Sequence, residues 1–296
     1  MPEARPVARN LPPVERTPMS NAPLKRQVAM ALLVGGIAGP GCRHAQVPSC
    51  GSAARRAGAA APAWRDEPGG LPLLSDEPFD KLDENGWHMT RRESKGGSSV
   101  SLSTDSGAPV SPPGVLQFTY GIGFPGGYAP GVEAFDPHPP VREAFFGLWW
   151  KPSDPWQNHA GSDVNKIAFL YPGEGLGDVA LIMFKAGPGY TLQVLPEFST
   201  TGDVRRLEPN LTATPVALGA WHQIEWYVKY ASGASSRDGV TAWWLDGIPQ
   251  GRYTDLRTPP GPGFIEFQIA PTWGGMEGQK NEVDWYCFDQ ARVSGR

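Results

Sequence analysis

From Trp87 onward the chain runs in short stretches of alternating apolar and polar residues, each broken by Gly, Pro, Asp or Ser. Alternation with a period of two places successive side chains on opposite faces of an extended strand, and aromatic and β-branched residues favour that state. The pattern predicts strands at Trp87–Arg92, Ser99–Ser103, Val115–Tyr120, Ala144–Lys151, Asn165–Tyr171, Val179–Lys185, Tyr190–Leu195, His222–Tyr230, Val240–Asp246, Gly251–Thr254, Phe264–Ala270 and Glu282–Val293. In the stretch from His222, Ile224, Trp226 and Val228 share one face, and Gln223, Glu225, Tyr227 and Lys229 share the other. Leu245-Asp246-Gly247-Ile248 reads as a tight hairpin, because Asp-Gly suits a turn whose two central residues need positive φ. About a dozen strands with no helices between them predict an all-β fold, an antiparallel β-sandwich rather than parallel βαβ units. Helix is expected only as a turn in a loop.

The N-terminal part reads differently. Lys25 and Arg26 precede an apolar run, Val28–Ala38, of signal-peptide length and too short to span a bilayer. Residues 1–42 are therefore read as a leader, with Met19 as an alternative start, and Cys42 as a lipid-attachment site with an imperfect lipobox. Residues 43–72, rich in Ala, Arg, Pro and Gly, read as a disordered linker, and residues 73–296 as the folded domain. This organisation predicts a secreted or envelope-anchored protein, held at a membrane through Cys42 if that residue is lipidated.

Composition narrows the partners. The 296 residues carry a net charge of -4 with no basic stripe, which argues against nucleic acid. A strongly anionic polysaccharide would need a local basic cleft. Eleven Trp residues offer material both for a core and for sugar stacking. The three cysteines contain no CxxC pair, so no zinc site is expected. Pairing of Cys50 with Cys287 stays open at this level, since an odd count with one Cys in a linker decides little.

The stretches SVSLSTDSGAPVSPPGVLQFTY, WWKPSDPWQNHAGSDVNKIAFLY, WHQIEWYVKY with DGVTAWWLDG, FQIAPTWGG and FDQARVSG resemble the concanavalin A-like lectin/glucanase superfamily. Within it they resemble bacterial polysaccharide lyases of the heparin-lyase and alginate-lyase type. The resemblance covers roughly Phe79 to Gly295 and implies a jelly roll of two curved sheets with saccharide in the groove of the concave one. Laminarinase-type hydrolases carry an E-x-D-x-x-E strand; the nearest string here, Glu282 to Cys287, ends in Cys instead of the last carboxylate. A lyase must neutralise a uronate carboxylate and abstract the proton beside it. Relatives do so from a Gln-Ile-His strand and a Y-x-K-x-G-x-Y strand; the corresponding stretches here are Asn165-Lys166-Ile167 and Phe267 to Trp273, and the early R-T-E-x-R strand finds only Val141-Arg142-Glu143.

The resemblance thus implies catalytic positions at Asn165, Lys166 and Gln268, with His159 as a base. The alternative for each is ordinary: His159 as a hydrogen-bonded loop residue, Asn165-Lys166 as a strand entrance. Trp149-Trp150 and Trp243-Trp244 are adjacent pairs, so one of each points inward and one outward. Trp243, Trp273 and the loop-tip Tyr128 are expected to contact sugar. No cofactor is implied, although Asp178, Glu282 and Asp284 could donate oxygens to a structural calcium, without the regular spacing of a calcium loop. The expectation is an exported polysaccharide-recognising protein that is either a uronate lyase acting by β-elimination or a non-catalytic carbohydrate-binding or adhesion module. Polysaccharide is the expected partner.

Overall fold

The structure is a computed structural model that describes residues 49–51, 63–92, 95–199 and 202–296. The leader, Cys42 and most of the linker lie outside the described residues. Among the described residues fourteen strands follow in order: β1 (Leu73–Glu77), β2 (Trp87–Arg92), β3 (Ser99–Thr104), β4 (Gly114–Tyr120), β5 (Gly131–Phe135), β6 (Glu143–Pro152), β7 (Val164–Tyr171), β8 (Val179–Ala186), β9 (Gly189–Pro196), β10 (His222–Lys229), β11 (Gly239–Leu245), β12 (Ile248–Leu256), β13 (Glu266–Ile269) and β14 (Asp284–Gly295). Helix among the described residues is one short turn, Lys95–Gly97, and no helix among them is long and apolar enough to cross a membrane.

The strands form two antiparallel sheets. One has the order β12-β11-β10-β6-β14-β4-β3, and the other β2-β5-β13-β7-β8-β9. β14 is long enough to serve two neighbours on one edge: its first half pairs with β4 and its second half with β1. Between the sheets lies one large core that takes Ile224, Trp226 and Val228 from β10, together with Trp150, Phe146, Leu170, Leu181, Phe267 and Phe288. The alternation in β10 thus sorts as the sequence predicts. The Asp-Gly hairpin also forms, with Asp246 at φ 54° and Gly247 at φ 74°. Asp246 holds the imidazole of His222 (Nδ1–Oδ2 2.7 Å), whose other nitrogen faces the carbonyl of Ala217 at 2.9 Å, so this histidine is a structural fastener.

Two strands escape the sequence pattern. β5 is five residues long with Gly and Glu inside an otherwise apolar run, and β1, at the expected start of the folded domain, reads Leu-Leu-Ser-Asp-Glu with no alternation. The eight-stranded sheet is also covered further toward the N-terminus than composition suggests. Trp64 packs edge-on against Phe145 (ring centroids 6.2 Å apart) and over Gly147, where any side chain would collide with it. Glu67 pairs with Arg292 at 2.8 Å, and the Asp66 N–H donates to Glu225 at 3.0 Å. Residues 64–67, in the stretch expected as linker, thus pack against this sheet. Cys50 and Cys287 form a disulfide, with their Cα atoms 6.3 Å apart. Beside it the buried Lys151 ammonium donates to the carbonyl of Cys50 (3.0 Å) and to Asp105 (2.8 Å), which also accepts from the Trp221 indole at 2.9 Å. An ammonium can sit there because a carboxylate meets its charge, a carbonyl accepts a second proton, and the rings of Trp221 and Trp285 lie 5.8 and 5.7 Å away.

Glu225 sits under the N-terminal segment, fully buried, with one carboxylate oxygen lacking a partner. Burial pushes its carboxyl up from 4.5 to about 7; the Asp66 N–H pulls it down, while the Asp66 and Glu67 carboxylates push it further up. A carboxyl whose folded value is raised must lose a proton unfavourably in the folded state, so its contribution is intact below about 4.5 and is lost as pH rises through about 7. Between pH 5 and 8 the stability of the wild type against urea should therefore fall relative to Glu225→Gln, by on the order of 2 kcal/mol. Parallel curves for the two proteins would show that Glu225 is not the titrating group.

Candidate functional site

The six-stranded sheet packs its inner face on the core and carries a second set of residues outside. Phe169, Ala180, Ile182, Val132 and Ala270 cluster there, with Val164, Phe184, Tyr171 and Leu195 half-buried around them. The register sets Gln268 of β13 beside Phe169 of β7. Lys166 reaches this outer face because of a bulge. Pairing of β7 with β8 slips between Lys166 and Ala168, so Ile167 and Ala168 both enter the core. Lys166 and Phe169 are left outside together, the ammonium 5.3 Å from the ring centre.

At this point the outer face holds a groove of about 300 Å³. Val164 and Leu195 give it an apolar floor, and Lys166, Glu197, Ser162 and Thr272 bring polar groups to it. Lys166 is ion-paired with Glu197, which follows β9 directly. Asp178, at the start of β8, lies near both. Burial raises its carboxyl from 3.8 to about 6, with Lys166 working against that shift and Glu197 adding to it. The far wall is the segment from Thr272 to Met276, and Met276 is 85% exposed at its tip.

This wall is fixed from behind. Residues 272–273 continue β13 between its neighbours: Lys166 N–H donates to the Thr272 carbonyl (2.9 Å), and Trp273 N–H donates to the Tyr128 carbonyl (3.0 Å). Trp273 itself points inward, 2% exposed, and its indole donates to the Gln157 carbonyl at 2.9 Å. The same carbonyl accepts from Lys280 at 3.1 Å. Lys280 is fully enclosed: it ion-pairs with Asp284 and faces the rings of Trp156 (4.1 Å), Trp273 (4.8 Å) and Tyr120 (5.2 Å). Burial pulls its ammonium down from 10.5 to about 8, against the attraction of Asp284.

His159 stands behind the wall, in a separate hollow of about 320 Å³ that it shares with Trp273, Glu277 and Asn281. Its ring lies edge-on to Trp273 at 4.8 Å and beneath Gly274, a glycine at φ 65° where a methyl group would strike the imidazole. Nε2 faces the carbonyl of Glu277, which can only accept, so that nitrogen carries a proton; Nδ1 meets the Ser162 hydroxyl at 3.0 Å. Both nitrogens are thus used to hold the loop. Asn165 is fully buried: it accepts from the Trp156 indole (3.1 Å) and donates to Asn158 (3.1 Å) and to the Met183 carbonyl (3.2 Å).

Of the residues expected to act together, Lys166 and Gln268 share the outer face, whereas Asn165 is interior and His159 lies across the wall. Gln268 donates to Glu266 on the same strand face. Two of the expected sugar contacts, Trp243 and Trp273, need correction. Trp243 is fully buried in the other sheet, donates to the Leu192 carbonyl at 3.1 Å and stacks on Tyr253, so Trp244 is the outward member of that pair. Trp273 is core for the reasons above. Tyr128 is half-buried, and one face of its ring is covered by the Lys95 ammonium at 3.2 Å. The suggested calcium position at Asp284 is taken by Lys280, and among the described residues no three His, Cys, Asp or Glu side chains converge as a metal site would require. Sequence reasoning missed Glu197, Thr272 and Met276, which lie past strand ends where no periodicity marks them.

No protein-family model matches the chain, and no curated protein matches it. Solved structures do. The endo-β-1,4-glucuronan lyase of the fungus Trichoderma reesei superposes with a TM-score of 0.50 at 18% identity, over 75% of this chain and 94% of that one. The alginate lyase Aly36B superposes with a TM-score of 0.51 at 13% identity, over 75% and 97%. A double mutant of that lyase in complex with alginate trisaccharide gives 0.51 at 12%, over 76% and 99%. At these identities the likeness shows the fold, a concanavalin A-like jelly roll shared with polysaccharide lyases.

The enclosed Lys280 yields a direct test. Lys280→Met would leave Asp284 buried and unpaired, and should destabilise the protein by roughly 3–5 kcal/mol in urea denaturation. Adding Asp284→Asn should return part of that loss, whereas two independent, additive losses would show that the pair is not coupled.

Proposed function

We propose that this protein binds a polysaccharide along the outer face of its six-stranded sheet. The observation that carries the reading is the groove beside Lys166, in which an apolar floor meets a few converging polar side chains. A pyranose ring presents the matching surfaces, an apolar face and a rim of hydroxyls, and sites of this composition are the usual ones for small polar ligands. From Glu266 to Thr272 the strand line beneath this face spans roughly 20 Å, room for an extended chain rather than a single sugar. The fold shared with polysaccharide lyases, one of them in complex with alginate trisaccharide, supports the same reading.

Binding fits these side chains better than β-elimination. Elimination needs a free base near the reacting carbon and a group to neutralise the carboxylate. His159 has both nitrogens engaged, Asn165 is enclosed, and Lys166 is already paired. Export belongs to the proposal. The Cys50–Cys287 disulfide suits an oxidising compartment, and the apolar run Val28–Ala38 suits a signal segment. Lipid attachment at Cys42 would hold the protein at an envelope; mass spectrometry of the mature N-terminus tests it.

Affinity electrophoresis against a broad panel of polysaccharides checks the reading. The wild type should be retarded by at least one glycan, Leu195→Asp should weaken that binding by about tenfold or more, and Trp244→Ala, on the other sheet, should leave it unchanged. Absence of retardation on every glycan would refute a carbohydrate-binding role.

A further inference from the structure

The side chains that make the groove also restrict its ligand. Among the described residues the one cation lining it, Lys166, is not a free charge, because Glu197 is bonded to it. Asp178 stands close enough to be influenced by both, and one of its oxygens is buried without a hydrogen-bond partner. Arg206, which lies 3.8 Å over the Phe184 ring on the same sheet face, is likewise paired, with Glu208 at 2.6 Å. Further along this face Glu266 adds another carboxylate beside Gln268. The whole chain carries a net charge of -4.

We infer that the groove takes a neutral polysaccharide, such as a glucan, xylan, mannan or arabinan, and discriminates against uronate chains. This rests on the binding role proposed above and names the class of ligand. A uronate carboxylate could reach Lys166 only by displacing Glu197, and Glu197 and Asp178 would then stand beside the newcomer as like charges in a partly dehydrated site. Such uncompensated charge is a common means by which a site rejects a close analogue. A sugar hydroxyl avoids the cost, since it both donates and accepts. One hydroxyl can donate to Glu197 and a neighbour can accept from Lys166 while the ion pair stays intact, and the apolar face of the ring then rests on Val164 and Leu195. The fold is shared with lyases that act on glucuronan and alginate, but the charge arrangement on this face points away from acidic chains.

The test is affinity electrophoresis and titration calorimetry of the full chain on two sets of glycans. One set is β-glucan, xylan, mannan and arabinan; the other is alginate, polygalacturonate and glucuronan. The wild type should bind a member of the first set at least about tenfold more tightly than any of the second. Its affinity for that member should be unchanged as salt rises, because no net charge is neutralised. Glu197→Gln, which releases Lys166, should bring the two sets together by about fivefold or more through tighter uronate binding. Preference of the wild type for any uronate polymer overturns the inference while leaving the carbohydrate-binding role standing. A Glu197→Gln protein with wild-type near-ultraviolet dichroism and no gain on uronates also overturns it. Absence of binding to both sets refutes the role itself.

Discussion

A single ammonium, that of Lys280, is the constraint around which one end of the sandwich is arranged. A lysine can be fully buried only if its charge is paired and its protons are accepted. Here Asp284, at the start of β14, meets the charge, the carbonyl of Gln157 takes a proton, and three aromatic rings close the remaining sides. Those partners come from four separate parts of the chain: β4, the loop after β6, the segment after β13, and β14. Trp156 then reaches on to Asn165, and Tyr120 donates to the Pro271 carbonyl at 2.6 Å. The loops that leave this end of the two sheets therefore have little freedom, and the wall from Thr272 to Met276 is one of them.

The consequence for function is geometric. Trp273 is held by the carbonyl that also holds Lys280, and the next residues turn back over His159 to form the rim of the groove. The groove is thus a product of rigid packing behind it, with an apolar floor supplied by β7 and β9. Its charged residues belong to a closed pair, which makes the site polar without making it ionic. That combination suits hydroxyls on a flat apolar ring.

Much of the fold was legible in the sequence. Twelve strands, the hairpin at Asp246-Gly247 and the inward face of β10 all follow from period-two alternation and turn chemistry. Where the sequence misled, the cause is identifiable. Residues 64 to 67 pack against the eight-stranded sheet, and composition cannot tell such a polar strap from a linker; β1, a strand of that sheet, has no apolar alternation to mark it. At the site, strict alternation would have put Lys166 on the side opposite Phe169; the bulge at Ile167 reverses that, and nothing in the residue types announces it. An exposed indole makes a stacking platform, yet Trp243 and Trp273 are core with a hydrogen-bonded indole, while aliphatic Val164 and Leu195 floor the groove.

Hydrogen–deuterium exchange with and without a saturating oligosaccharide of the bound polysaccharide tests the central claim most directly. The account predicts slowed exchange in residues 164–166, 195–197 and 272–276, with no change in β10, β11 or β12. Protection confined to the eight-stranded sheet would contradict it, as would protection that leaves 164–166 and 272–276 unaffected.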